Sequence, residues 1–268
     1  MDTRCTILIP SPDTNRELLR LFVLMKSRFW RDCSLSTFVA TQTENWASYG
    51  NDINYLYTGE NSSWGERMHE ALKKIQTPYI LFLCDDFFIS KNIDNERFDY
   101  ILEKLIKRNA KFCRFFPPAH NSDIAPDLWE VLPIPKNVPY GINIGGGIYS
   151  RDYLMDLIGD GTIDGWTIEN ELNKQCANYN KDDYYEDCFW ISGNFLGIIH
   201  GVSKGKWFPS AKRKIKKLGY KVDDSMLTMS RLQEIKLSMV SKIGKRLTPR
   251  MRKILKQNFK FLKFTTSF

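Results

Sequence analysis

Two adjacent carboxylates, Asp85 and Asp86, close an apolar run, YILFL (79–83), and are the most chemically suggestive residues in the chain. Carboxylates at the end of a buried strand lose several kcal/mol of hydration unless a cation meets them. A divalent metal is the simplest such cation. Mg²⁺ or Mn²⁺ held by one or two carboxylates and by substrate phosphates is ordinary hard-oxygen chemistry. The alternative is that the pair merely caps a strand before the next loop.

Other candidates are more dispersed. His200 ends a second apolar run and is followed by GVSKGKW, whose Lys204 and Lys206 could act as point charges on phosphate while Gly201 and Gly205 let the loop bend. Glu169 and Glu171 lie in WTIENEL (166–172), where a carboxylate could take a proton from a hydroxyl, with a solvated helix Glu as the bland alternative. Gly145, Gly146 and Gly147 form a run that allows close backbone approach or a tight turn. His69 and His120 lack comparable neighbours.

The elements that must position these groups follow from periodicity. CTILIP (5–10) reads as a buried strand closed by turn-formers, followed by a helix over 15–29. Residues 36–41 and 53–58 read as strands, 64–75 as an amphipathic helix, and 78–89 as one nearly continuous strand ending in the carboxylates. Helices are expected over 95–109, 151–158 and about 166–175, and a last strand-like region over 189–201. The segment 115–140 carries six prolines and reads as a structured loop or short antiparallel strands. Strands alternating with helices imply a mainly parallel sheet covered on both faces, with ligands in the crevice beyond the carboxyl ends of its strands.

The segment WGERMHEALKKIQTPYILFLCDDFFI (64–89) resembles the helix, strand and DXD segment of GT-A glycosyltransferases, in particular family-2-like bacterial transferases. The resemblance implies a Rossmann-like α/β fold and a metal on the diphosphate of a sugar nucleotide, held by Asp86 with Asp85 beside it. Cys84 stands where the family usually has the first Asp of the motif. TILIPSPDTN is similar to the family's first strand and base-binding turn, which puts Pro10, Ser11 and Asp13 near the nucleotide, with Arg67 of the motif helix also on that side. NIGGGIYSRDYL resembles the acceptor-side glycine segment. Glu169 aligns with the catalytic base and His200 with a late metal ligand, and the following loop covers the diphosphate.

What the resemblance implies is a metal-dependent glycosyltransferase. It would use Mn²⁺ or Mg²⁺ and a nucleoside-diphosphate sugar, by family weight a UDP-sugar, and act on a glycan or lipid-linked acceptor in bacterial polysaccharide synthesis. Inversion is expected with Glu169 as base, and a retaining course without it. The competing enzyme class, sugar nucleotidyltransferases, usually opens with a glycine-rich basic phosphate loop, and PSPDTN has neither glycine nor lysine. A non-catalytic nucleotide- or membrane-binding protein is the third reading.

The net charge of +8 is unevenly placed. From Ser225 onward there are eleven Lys and Arg against the single acid Glu234, whereas residues 1–224 hold two more acids than bases. The expected organisation is a catalytic domain over 1–224, with its nucleotide half to about 90 and its acceptor half beyond. A basic tail of two amphipathic helices over 225–268 follows, one with Met229, Leu232, Ile235, Met239 and Ile243 on a face and one with Met251, Ile254, Leu255 and Leu262. Bases beside apolar stripes suit an anionic membrane surface, and a body without excess positive charge argues against nucleic acid. Six scattered cysteines, no leader and no run of roughly 20 apolar residues point to a cytoplasmic protein, peripheral on the inner membrane face.

Overall fold

The computed structural model describes residues 2–43, 49, 52–115, 130–180, 182–191 and 195–246, without the side chains of 177 and 240–246. The second tail helix, His120 and residues 116–129 of the proline-rich segment lie outside them.

Strand β1 (Asp2–Pro10) is central to a parallel group, pairing with β2 (Leu35–Thr41) on one side and β4 (Tyr79–Phe82) on the other, while β3 (Ile53–Tyr57) extends β2. Its side chains alternate between two cores. Cys5, Ile7 and Ile9 pack on the face of helix α1 (Arg16–Phe29) and helix α3 (Asn95–Lys107). Leu8 packs on the opposite face with Met68, Ala71 and Leu72 of α2 (Trp64–Lys74) and Leu154 and Ile158 of α4 (Arg151–Ile158). β4 repeats the division, with Leu81 in the first core and Ile80 and Phe82 in the second. Burial on both faces is why these strands read as continuous apolar runs.

Beyond β4 the sheet turns mixed. β8 (Gly147–Ser150) lies antiparallel to both β4 and β6 (Phe112–Arg114). β9 (Tyr184–Ile191) runs parallel to β6, and β7 (Val131–Pro135) closes the edge antiparallel to β9. The eight-stranded order is β3-β2-β1-β4-β8-β6-β9-β7. This is a mixed, mainly parallel Rossmann-like α/β sheet flanked by helices, as the periodicity implies.

The helices start where polar caps meet apolar periodicity. Ser63 and Glu66 form a reciprocal capping box at α2, and Asp94, Ser150 and Asp164 cap α3, α4 and α5 (Gly165–Lys174) with their side chains. The turn after α4 presses on the start of α2, where a Cβ on Gly65 would sit 2.3 Å from the Gly161 carbonyl oxygen. Only glycine fits there.

One expected element divides in two. The run 78–89 breaks after β4, and Asp85 and Asp86 sit in a turn closed by Phe87 N–H donating to the Cys84 carbonyl, 3.0 Å. Strand β5 (Phe87–Ile89) then leaves the main sheet to pair antiparallel with β10 (Ile198–His200). Apolar periodicity could not reveal the break, because both halves are buried.

The end of the described chain holds a helix the sequence pattern does not signal. After the hairpin of β11 (Val202–Ser203) and β12 (Lys206–Trp207), α6 (Pro209–Lys217) buries only Ala211 and Ile215 among a run of bases. Residues past 225 continue to contact the body, since Trp207 N–H donates to the Leu227 carbonyl, 2.8 Å, and Met229 N–H to the Trp207 carbonyl, 3.1 Å. Helix α7 (Arg231–Arg246) follows, and no helix among the described residues is long and apolar enough to cross a membrane.

Candidate functional site

Asp85 and Asp86 follow the carboxyl end of β4, the end of the strands beyond which parallel α/β sheets generally bind ligands. Their environments differ sharply. Asp85 is buried and accepts hydrogen bonds from Ser11 Oγ, 2.7 Å, and Asn15 Nδ2, 3.0 Å, both on the same oxygen. Burial, followed by the neighbouring charge of Asp86, pushes its carboxyl up to about 7 against the pull of Ser11, Asn15 and Arg67.

That shift fixes a direction for stability. Between its ordinary value near 3.8 and about 7, the folded protein holds a proton on Asp85 that the unfolded chain has released. Folding stability therefore falls as pH rises through this window, by roughly 4 kcal/mol in all, and levels off above it. Asp85→Asn is expected to flatten the descent in urea unfolding measured from about pH 4.5 to 8. A slope unchanged in the variant would assign the dependence to other groups.

Asp86 meets a residue 114 positions away. Its Oδ2 lies 3.0 Å from His200 Nε2 and accepts from Val202 N–H, 3.1 Å, while its main-chain carbonyl accepts from Gly201 N–H, 2.8 Å. The β5–β10 ladder sets this meeting by pairing His200 opposite Phe87. The imidazole is steadied edge-on by the rings of Phe87, 5.1 Å, and Phe208, 5.5 Å. Gly201 permits the approach, since a Cβ there would lie 2.3 Å from the Phe88 ring.

The loop after His200 is a tight hairpin. Lys204 and Gly205 both have positive φ, 51° and 69°, and link β11 to β12 as a two-residue turn. Lys204 is exposed at its tip and Lys206 half-buried at its base. Both stand within a few residues of His200.

On the other side of the turn, Glu169 projects from α5, half-buried, and its Oε1 accepts from Ile144 N–H, 2.8 Å. Burial raises its carboxyl above the usual carboxylate range, against the opposing pull of that N–H and of the Arg114 guanidinium. Burial drives the Cys84 thiol well above its usual value, and the charges of Asp86, Asp85 and Glu169 push it the same way. Glu171 is exposed and pairs with Lys174 instead.

Asp13, half-buried, joins two loops. It accepts from Thr41 Oγ1, 2.9 Å, and Thr43 Oγ1, 2.5 Å, tying the loop after β1 to the end of β2. Arg67 is buried at the start of α2, donates to the Ser62 carbonyl, 2.6 Å, and interacts electrostatically with Asp85 and Asp13. Its Nε is buried with no hydrogen-bond partner, an orphaned donor. Pro10 ends β1 beside Ser11.

The glycine run is bounded by protein. A Cβ on Gly145 would meet the Asn143 amide at 2.8 Å, one on Gly146 the Phe87 ring at 3.1 Å, and one on Gly147 the Cys113 carbonyl oxygen at 2.8 Å. Tyr149 OH donates to the Gly145 carbonyl, 3.1 Å, and Tyr140 N–H to Asn173 Oδ1, 3.1 Å, so this loop is stitched to β8 and α5.

Two groups escaped sequence reasoning. Asn15, at the first turn after β1, reads as an ordinary helix-start residue, yet it orients Asp85. Arg114, closing β6, donates to the Gly141 carbonyl, 3.0 Å, and faces Glu169 electrostatically, with burial pushing its guanidinium down to about 10. A single Arg at a strand end gives no periodic or spacing signal.

Among the described residues no group of three or more His, Cys, Asp or Glu side chains is placed to hold a metal. Asp86 and His200 are a two-residue partial set, which fits an ion whose remaining ligands come from a diphosphate.

No protein-family model matches the chain, and no curated protein matches it. Among solved structures it is similar to CMP:2-keto-3-deoxy-manno-octonic acid synthetase complexed with CTP, at 14% identity over 81% of this chain and 98% of that one, TM-score 0.48. It is also similar to 2-C-methyl-D-erythritol 4-phosphate cytidylyltransferase from Thermus thermophilus, at 10% identity over 80% and 98%, TM-score 0.47. A third is the galactosyltransferase LgtC with donor and acceptor sugar analogs, at 11% identity over 86% and 99%, TM-score 0.42. Likenesses this distant carry no functional weight.

Proposed function

We propose that the chain is a metal-dependent glycosyltransferase of GT-A type that moves a sugar from a nucleoside-diphosphate sugar, a UDP-sugar by preference, to a glycan or lipid-linked acceptor in bacterial polysaccharide synthesis. The observation that carries this reading is the contact between Asp86 and His200, 3.0 Å apart beyond the carboxyl end of β4.

Asp86 and His200 would hold Mn²⁺ or Mg²⁺. When bound, the ion stabilises negative charge developing on the departing nucleoside diphosphate. Lys204 and Lys206 supply further positive charge from the hairpin. Ser11, Asp85 and Arg67 border the nucleoside side, with Pro10 and Asp13 fixing the loop that carries Ser11. Gly145, Gly146 and Gly147 line the donor-sugar side as a rigid rim.

Glu169 accepts the acceptor hydroxyl proton as that oxygen attacks the anomeric carbon opposite the leaving group, which inverts configuration. Burial raises its carboxyl and so makes it a stronger base than an exposed glutamate, and the Ile144 N–H keeps one oxygen fixed. The protein works in the cytoplasm, with its basic C-terminal segment against the anionic inner face of the membrane.

The competing reading, a sugar nucleotidyltransferase, has less support because the loop after β1, PSPDTN, has neither the glycine nor the lysine of a basic phosphate loop. The two readings separate by product. A transferase incubated with a panel of UDP-, GDP- and CMP-linked sugars and Mn²⁺ releases nucleotide from one donor, faster with acceptor. Release of pyrophosphate from a nucleoside triphosphate and a sugar phosphate, with no donor cleaved, would overturn the assignment.

A further inference from the structure

Among its described side chains, helix α7 meets the body through Leu237 and Glu234. At about 100° per residue, Leu237, which packs against the cluster of Phe208, Ala211 and Met229, and Glu234, whose carboxylate accepts from Ser210 N–H, 3.3 Å, define its contact side. Leu232, Ile235 and Met239, at i, i+3 and i+7, fall on the opposite arc. They are 79%, 54% and 56% exposed. Arg231 borders this stripe on one flank and Lys236 on the other.

Across a groove of 520 Å³, helix α6 presents Arg213 toward Arg231, with Ile235 and Met239 in the floor and wall. Arg213, Lys214, Lys216 and Lys217 of α6 and Arg231 and Lys236 of α7 are all exposed and form no ion pair among the described residues. Arg213 and Arg231 therefore share the groove with Ile235 and Met239, and Lys214, Lys216 and Lys217 add exposed positive charge on α6.

We infer that the α6–α7 face is the surface that docks on an anionic lipid bilayer, with Ile235, Met239 and Leu232 entering the head-group boundary and Arg213 and Arg231 gripping lipid phosphates across the groove. The inference rests on the membrane-docking part of the function proposed above and narrows it to named residues. Charge complementarity selects the occupant, since exposed cations need anions and exposed aliphatic side chains need an apolar layer, and only an anionic bilayer offers both in one plane. A nucleic acid would match the cations but leave the aliphatic stripe in water, and the stripe has no aromatic side chain on which a base could stack.

The placement has a consequence for the site. Phe208, the residue immediately before α6, touches the His200 ring, so the docking face adjoins the crevice mouth. An acceptor carried in the membrane would be presented beside Asp86 and His200.

The test uses the full chain and flotation with vesicles of phosphatidylcholine and phosphatidylglycerol in about a two-to-one ratio, beside vesicles of phosphatidylcholine alone. Wild type is expected to bind the anionic vesicles at least about 10-fold more strongly than the neutral ones. The double variant Ile235→Asp, Met239→Asp and the double variant Arg213→Gln, Arg231→Gln are each expected to lose about 10-fold or more. All four residues are exposed, and unchanged circular dichroism and melting temperature verify the fold. Binding unaffected by both double variants would overturn the inference, as would equal binding to neutral vesicles. A self-association seen by sedimentation velocity and lost in the Ile235→Asp, Met239→Asp variant, without vesicle binding, would assign the face to a second copy instead. Nucleotide affinity of the same variants, read separately, distinguishes failure of this surface from failure of the transferase reading.

Discussion

Glu169→Gln is expected to reduce sugar transfer by about 10²- to 10⁴-fold while leaving nucleotide affinity close to that of wild type. The amide keeps an oxygen to accept the Ile144 N–H, so the loop of residues 140–146 should remain in place. What is lost is the capacity to take a proton. Because burial raises this carboxyl, the wild-type rate should fall as pH drops through a value above the ordinary 4.5 of glutamate, following protonation of the base. That acid limb should vanish from the residual activity of the variant. Turnover and affinity falling together would mean that Glu169 serves only to hold the loop, and an unchanged rate would remove it from the chemistry.

Asp86→Ala is expected to weaken metal-supported nucleotide binding by about 100-fold or more, with His200→Ala losing a comparable amount. Because the two side chains touch at 3.0 Å, their effects should not add: the double variant should bind little worse than either single one. Additive losses would mean that the residues act at separate places. Asp86→Ala also strips an acceptor from the Val202 N–H, so melting temperatures must accompany the titrations to separate lost binding from a loosened hairpin.

Much of the first half of the fold is legible in the residues, because β1 and β4 are buried on both faces and α1, α2 and α3 carry clear apolar stripes, the last two with side-chain caps. The break between β4 and β5 is not, since Phe87, Phe88 and Ile89 are as apolar as the strand before them, and only long-range pairing with β10 decides where the chain turns. Helix α6 is hidden for the opposite reason: two buried residues among nine give too weak a stripe to register. The carboxylate pair and His200 stand out as chemical types at strand ends. That they meet depends on the antiparallel register of His200 with Phe87, a tertiary fact absent from local pattern. The bonds of Asp13 to Thr41 and Thr43, of Asn15 to Asp85 and of Arg114 to the Gly141 carbonyl are likewise set by packing between distant segments.

The central claim, that Asp86 and His200 form a metal-assisted diphosphate site, is tested most directly by titration calorimetry of UDP, GDP and CMP into the wild-type chain in Mn²⁺ and again in excess EDTA. Saturable binding of one nucleoside diphosphate that disappears with the metal is the predicted result. Binding of equal strength in EDTA, or no binding of any of the three by folded protein, would contradict it.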